Sequence, residues 1–306
     1  MGGDIMGSLL YQMTRAIDKN FTPGKSKRSH KKQGIKKVLI FSYSYRRNLI
    51  HFSANLTHFL KGSYKVRNLK DIKPEFITAF FKAKEDLNCS HRTLVQYKSY
   101  ITTMDKLITQ TYYFKLHMAR GVPEVLGGTK PKRTLYMRQE HIDAILELRK
   151  NSNSAAVLGI RINNLFGLRV SETCKLIGKD FDLDKMVLHI VRSKGGRDRD
   201  IKINTVEQLE LAREIRAKYG ELDKLVPMEE NSFNKFITEA LEELGITMYK
   251  DANTVNHAIR KKVARKVLQD NLDKGMSMQD AMDDTSKFLG HNKNRNRVVS
   301  IYTNAE

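Results

Sequence analysis

The 306-residue chain has two cysteines, five prolines and no long hydrophobic run. Cys89 and Cys174 lie far apart, which fits two buried, reduced thiols in a cytoplasmic protein rather than a disulfide framework. No grouping of Cys and His has the spacing of a zinc site, so no metal is expected. No stretch approaches the ~18 apolar residues of a membrane span. The start, MGGDIMGSLLYQMTRAID, lacks the basic lead, apolar core and small-residue cleavage site of a secretory signal. A phosphate-binding loop is missing too. Gly24, Lys25 and Ser26 spell its end, but the glycine required five residues earlier is Lys19. No cofactor is expected.

Acidic residues are also scarce. Lys and Arg number 55 against 34 Asp and Glu, a net charge of +21. The imbalance is front-loaded: residues 1–130 hold 24 Lys/Arg against 8 Asp/Glu (+16), and residues 131–306 hold 31 against 26 (+5). This charge predicts a polyanionic partner, nucleic acid before an acidic membrane surface, because no strongly amphipathic basic helix stands out. The 40% hydrophobic content suffices for buried cores. At roughly 100–200 residues per domain, the length predicts two domains or one large one.

Four segments are expected. Residues 1–37 begin with a short amphipathic stretch, LLYQMTRAID, and continue into a like-charged run with Lys25, Lys27, Arg28, Lys31, Lys32, Lys36 and Lys37. They read as a basic arm that neutralises phosphates. Residues 38–119 carry apolar side chains at three- and four-residue spacing, such as Leu49, Phe52, Leu56 and Phe59. That pattern predicts a bundle of about four helices with basic outer faces, Arg46 and Arg47 among them. Asp71 and Ser90 are predicted helix starts and Gly62 a stop. Residues 120–137 hold two prolines and three glycines and read as a linker. Residues 138–306 read as a mainly helical domain with one β-hairpin, where Val187, His189 and Val191 alternate with Leu188, Ile190 and Arg192 before Gly195 and Gly196.

Four short stretches of the last segment stand out together. They are GLRVSE at 167–172, SKGGR at 193–197, HAIR at 257–260, and LGH at 289–291 followed by Tyr302. Each is common alone. In this order and spacing they resemble the catalytic signature of the tyrosine recombinase (phage integrase) family, over the whole region from about 138 to the end. The basic helical region before it resembles that family's SAM-like core-binding domain, in versions found on integrative mobile elements.

The resemblance implies a fold that is mainly α with a small antiparallel β-sheet in the catalytic domain. It also implies a two-domain, C-shaped clamp around double-stranded DNA. Arg169 and Arg260 would clamp the scissile phosphate. Guanidiniums suit this because they stay charged and grip two oxygens of a phosphorus centre gaining negative charge. Tyr302 would be the nucleophile, giving a 3′-phosphotyrosine and a free 5′-hydroxyl. Its phenol, with a pKa near 10, needs help losing its proton. Lys194, on the predicted hairpin turn, would be the general acid that protonates the leaving 5′-oxygen. His257 and Arg260 share a helix for which Thr254 is a predicted N-cap. His291 would donate to a nonbridging oxygen, and Glu172 would orient the clamp or a neighbouring histidine. Arg197, Arg199, Arg295 and Arg297 are further candidate phosphate contacts. Cys174 reads as core.

Two features depart from the family pattern. Tyr302 follows His291 by eleven residues, slightly more than usual, yet it is the only tyrosine after Tyr249. Thr303, Asn304, Ala305 and Glu306 alone follow it, where many relatives have a longer docking segment. Either the tyrosine-bearing segment or another surface would then link protomers. The implied partners are a recombination site and a homo-tetramer on DNA, with accessory DNA-bending or directionality factors. The implied setting is the nucleoid of a bacterium, phage or mobile element. Alternatives are a type IB topoisomerase-like or telomere-resolving relative, and a non-catalytic DNA-binding architectural protein.

Overall fold

The structure, a computed structural model, describes residues 7–25, 30, 34, 37–128, 135–193, 197–251 and 255–291. The chain divides into two compact units, Met1–Pro131 and Lys132–Glu306. Among the described residues no helix is long and apolar enough to cross a membrane.

The first unit is built on the helices Leu9–Asp18, Tyr43–Tyr64, Pro74–Asp86 and His91–Tyr112. Three begin at serines whose hydroxyls accept from orphan backbone N–H groups: Ser8 from Tyr11, Ser42 from Tyr45 and Ser90 from Thr93. The fourth begins with Pro74, whose fixed φ and missing N–H suit a first helical position. Leu49, Phe52, Leu56 and Leu60 line one buried face, opposite Leu94, Ile101, Met104 and Ile108. Each such side chain contributes about 1.5–3 kcal/mol on burial.

Three sequence expectations change here. Gly62 does not stop its helix, which runs to Tyr64 and closes on Lys65 in the left-handed region (φ 55°). Asp71 starts no long helix. It accepts from the N–H of Asn68 and so caps one 3₁₀ turn, Leu69–Asp71. Most importantly, the described start of the predicted arm belongs to the first core. Leu9, Met13, Ala16 and Ile17 are buried in it, and buried Gln12 accepts from the N–H of Leu69. An apolar face of that size is costly to leave in water, so the helix packs.

The predicted linker is also shorter than 120–137. The Thr78 hydroxyl donates to the Gly121 carbonyl, the Gly127 N–H donates to Glu85, and Leu126 is buried in the first unit. Met137, at the other end, is buried in the second core, and its N–H donates to the Ala258 carbonyl.

The second unit opens with the helices Gln139–Leu148, Ala155–Phe166 and Val170–Thr173. An antiparallel sheet follows, β1 (Phe181–Asp182), β2 (Val187–Ser193) and β3 (Arg197–Lys202), in the order β1-β2-β3. The hairpin was legible in the alternation, but β1 is too short to announce itself. Among the described residues five helices follow: Val206–Lys218, Glu230–Glu243, Met248–Asp251, Val255–Asp273 and Met278–Phe288. Leu188, Ile190 and Ile201 point from the sheet into a core with Phe166, Leu168 and Ile259. On the other sheet face, His189 lies between two carboxylates, with Nδ1 2.7 Å from Asp200 and Nε2 3.4 Å from Asp182.

That stitch across three strands is pH-sensitive. The hydrogen bond to Asp200, then that to Asp182, raises the His189 pKa above its ordinary 6.5. A raised folded-state pKa means stability that is fully present below about 6.5 and lost as pH rises through the raised value. Asp182 is lowered by hydrogen bonds to Lys185, so its contribution behaves oppositely and fades only in acid. Wild type is expected to melt at a lower temperature at pH 8.5 than at pH 6. His189→Gln should remove most of that difference. Thermal unfolding checks it, and an unchanged pH dependence in the variant would remove His189 as its source.

Candidate active site

The site begins where the helix Ala155–Phe166 ends. Gly167 closes it in the left-handed region (φ 60°), with its N–H donating to Asn163. This turn sends Leu168 into the core and makes Arg169 the N-cap of a four-residue helix, Val170–Thr173. Arg169 is therefore outside the helix, and Glu172 reaches back to accept from its backbone N–H at 2.9 Å.

Glu172 is 4% exposed and forms a hub. Its Oε1 accepts from Arg169 Nη1 at 2.6 Å and from Arg199 Nη1 at 2.9 Å. Its Oε2 accepts from Arg199 Nη2 at 2.9 Å, and Arg260 Nη1 lies 3.7 Å away. Arg260 arrives on the helix Val255–Asp273, 91 residues beyond Arg169, and is 1% exposed. It donates to the carbonyls of Gly167 (2.6 Å) and Leu289 (2.5 Å). Arg169 Nη2 donates to the same Leu289 carbonyl at 3.0 Å. The two motif arginines thus share one carboxylate and one peptide oxygen.

The helix that carries Arg260 is held by a buried polar chain. Thr173 donates to Asn163 (2.6 Å), which donates to Asn256 (2.8 Å). His257 lies one turn before Arg260 on this helix and is half-buried. His291 follows Gly290, which is left-handed (φ 67°), and its N–H donates to Ser286. Five of the residues singled out in the sequence (Arg169, Glu172, His257, Arg260 and His291) belong to segments that meet around Glu172 and Leu289.

Other expectations shift. Arg199, a predicted phosphate contact, is turned onto Glu172, with Nε donating to the Phe288 carbonyl. Its pairing was not legible, because β3 alternation says nothing about which segment covers the strand. Arg46 is also not a bare cation: it pairs with Asp18 at 2.7 Å and lies over the Phe21 ring. Lys25 and Arg47 are exposed. Cys174 packs on the second core, and burial pushes its thiol up to about 11, so it is inert at neutral pH. Tyr249 is fully buried, with its hydroxyl held by Arg138 N–H and His141, and burial raises its pKa. Lys194, Tyr302, Thr254, Lys27, Arg28, Lys31, Lys32, Lys36, Arg295 and Arg297 lie outside the described residues, as does the side chain of Arg197.

Chemically, three guanidiniums converge on one buried carboxylate, a local excess of positive charge held rigidly by peptide oxygens. Such a site is preorganised for an anion whose charge grows during reaction.

The model of the phage integrase family matches residues 136–306, more than half of the chain. No curated protein sequence matches. Among solved structures, the Tn1549 transposon integrase in complex with circular intermediate DNA is similar, at 16% identity and a TM-score of 0.60 over 98% of this chain and 96% of that one. A lambda integrase tetramer bound to a Holliday junction is similar at 15% identity and a TM-score of 0.61, over 99% of this chain and 79% of that one. At these identities the likeness is one of fold, mainly helical with a small three-stranded antiparallel sheet. With the arginines, the histidines and the family match in one domain, the chain belongs to the phage integrase family, the tyrosine recombinases.

Proposed function

We propose that the protein is a site-specific recombinase that cuts and rejoins double-stranded DNA through a 3′-phosphotyrosyl intermediate and a Holliday junction. It would integrate, excise or resolve a mobile element as a tetramer on two sites. The observation that carries this reading is the convergence of Arg169 and Arg260, from segments 91 residues apart, on Glu172 and the Leu289 carbonyl. Fixed guanidiniums match a transition state that places extra charge on the nonbridging oxygens. His257 and His291 add donors beside them. Tyr302 supplies the nucleophile and Lys194 the proton for the leaving 5′-oxygen. Because the phosphotyrosine preserves the phosphodiester energy, rejoining needs no nucleotide, and the chemistry needs no divalent metal. The basic first unit, through Arg47 and Lys25, holds the backbone by salt-sensitive phosphate contacts.

The test is a duplex selected for binding from a random pool and nicked beside the scissile phosphate so that a cut strand is trapped. Wild type should form a covalent protein–DNA band, unaffected by chelators. Its absence would sink the reading. Lys194→Ala should slow trapping by about 10²–10⁴-fold. Replacing the bridging 5′-oxygen by sulfur, which leaves without a proton, should restore the rate. If sulfur gives no rescue, Lys194 is not the acid.

A further inference from the structure

We infer that Arg199 is a positioning residue of the cleavage site, setting the pose of Arg169 through Glu172 instead of gripping DNA; this rests on the strand-cleavage reading above. The side chain of Arg199 is 11% exposed, against 2% for that of Glu172. Its fork meets both carboxylate oxygens at 2.9 Å, the bidentate geometry that only a planar guanidinium provides. Arg169 grips the same two oxygens from its own side, Nη1 on Oε1 and the backbone N–H on Oε2. Glu172 is thus held between two arginines, and the angle at which it presents Arg169 depends on both.

The third contact extends the effect. Arg199 Nε donates to the Phe288 carbonyl at 3.1 Å, next to the Leu289 carbonyl shared by Arg169 and Arg260. The Arg199 side chain also packs close to Gly290: a Cβ there would come within 2.9 Å of Nη1. That glycine leads directly into His291. One side chain of β3 therefore joins the Arg169 turn, the Leu289 acceptor and the approach to His291. Loss of the fork would leave Glu172 held from the Arg169 side alone and deprive the Phe288 carbonyl of its Arg199 donor, so both can shift. An error of about 1 Å in a reacting geometry costs about 10²-fold in rate.

Three variants on the trapped, nicked duplex test this: Arg199→Met, Arg199→Lys and Glu172→Gln. Arg199→Met should lower the adduct-forming rate at saturating DNA by about 10²-fold, with DNA affinity within about threefold of wild type and an unchanged salt slope. Arg199→Lys keeps the charge but not the fork, so it should bind as wild type and stay slow. The double variant Arg199→Met/Glu172→Gln should be no slower than the slower single variant, because both act through one carboxylate. A phosphate contact would instead weaken binding, reduce the salt slope by about 1 and combine additively with Glu172→Gln. Either that pattern, or wild-type rates in Arg199→Lys, overturns the inference. If Arg199→Met does not fold, Arg199→Lys against Glu172→Gln decides alone. A wild type that traps no DNA defeats the functional reading itself, a separate result.

Discussion

A Tyr302→Phe variant is expected to form no covalent adduct on the nicked duplex, a loss of at least about 10⁴-fold, while binding the same DNA as wild type. The covalent route requires an oxygen to attack phosphorus, and phenylalanine removes that one atom while keeping the ring. The other proposed groups have different roles: the arginines stay protonated guanidiniums, Lys194 is the proton donor, and the histidines are hydrogen-bond donors. The natural control is Tyr249→Phe. Tyr249 is buried, and its hydroxyl joins Arg138 N–H to His141. Its loss should cost about 1 kcal/mol of stability and leave the adduct intact. An adduct surviving in Tyr302→Phe, or vanishing in a folded Tyr249→Phe, would move the nucleophile elsewhere.

Arg260→Ala carries the second large effect. Arg260 is 1% exposed and bridges the Gly167 and Leu289 carbonyls beside Glu172. Removing one preorganised donor from such a site costs about 10²–10³-fold in rate. The structure adds a stability cost. The Gly167 carbonyl loses its charged donor, at about 1–3 kcal/mol, while the Leu289 carbonyl keeps the one from Arg169. A single-turnover cleavage assay should therefore show a drop near the upper end of the range, alongside a lower melting temperature. Arg260→Lys separates the two components. An ammonium can satisfy one carbonyl and keep the charge, so stability should recover more than rate. Equal recovery of both would mean that charge alone, not the two-pronged geometry, is what the site uses.

Much of this molecule was legible before folding. Ser90 and the spacing of Leu49, Phe52 and Leu56 announced helices, because capping and one-sided burial are local demands on sequence. The alternation around His189 announced the hairpin, and the four motifs announced the domain that the family model matches. What stayed hidden depends on which segment covers which. LLYQMTRAID showed a helical stripe, but only packing revealed that Leu9, Met13 and Ile17 complete the first core instead of riding on a free arm.

The sequence by itself determined the family, through four motifs whose order and spacing resemble the tyrosine recombinases, because residue type and spacing are local properties of the chain. Only the tertiary structure decided how the cations divide their work. Arg169, Arg199 and Arg260 are the same side chain in sequence. In the fold they take different places around Glu172 and the Leu289 carbonyl, because a buried carboxylate must be paired and has few acceptor positions to share. That competition is settled by distances between segments up to 120 residues apart, which no local pattern encodes.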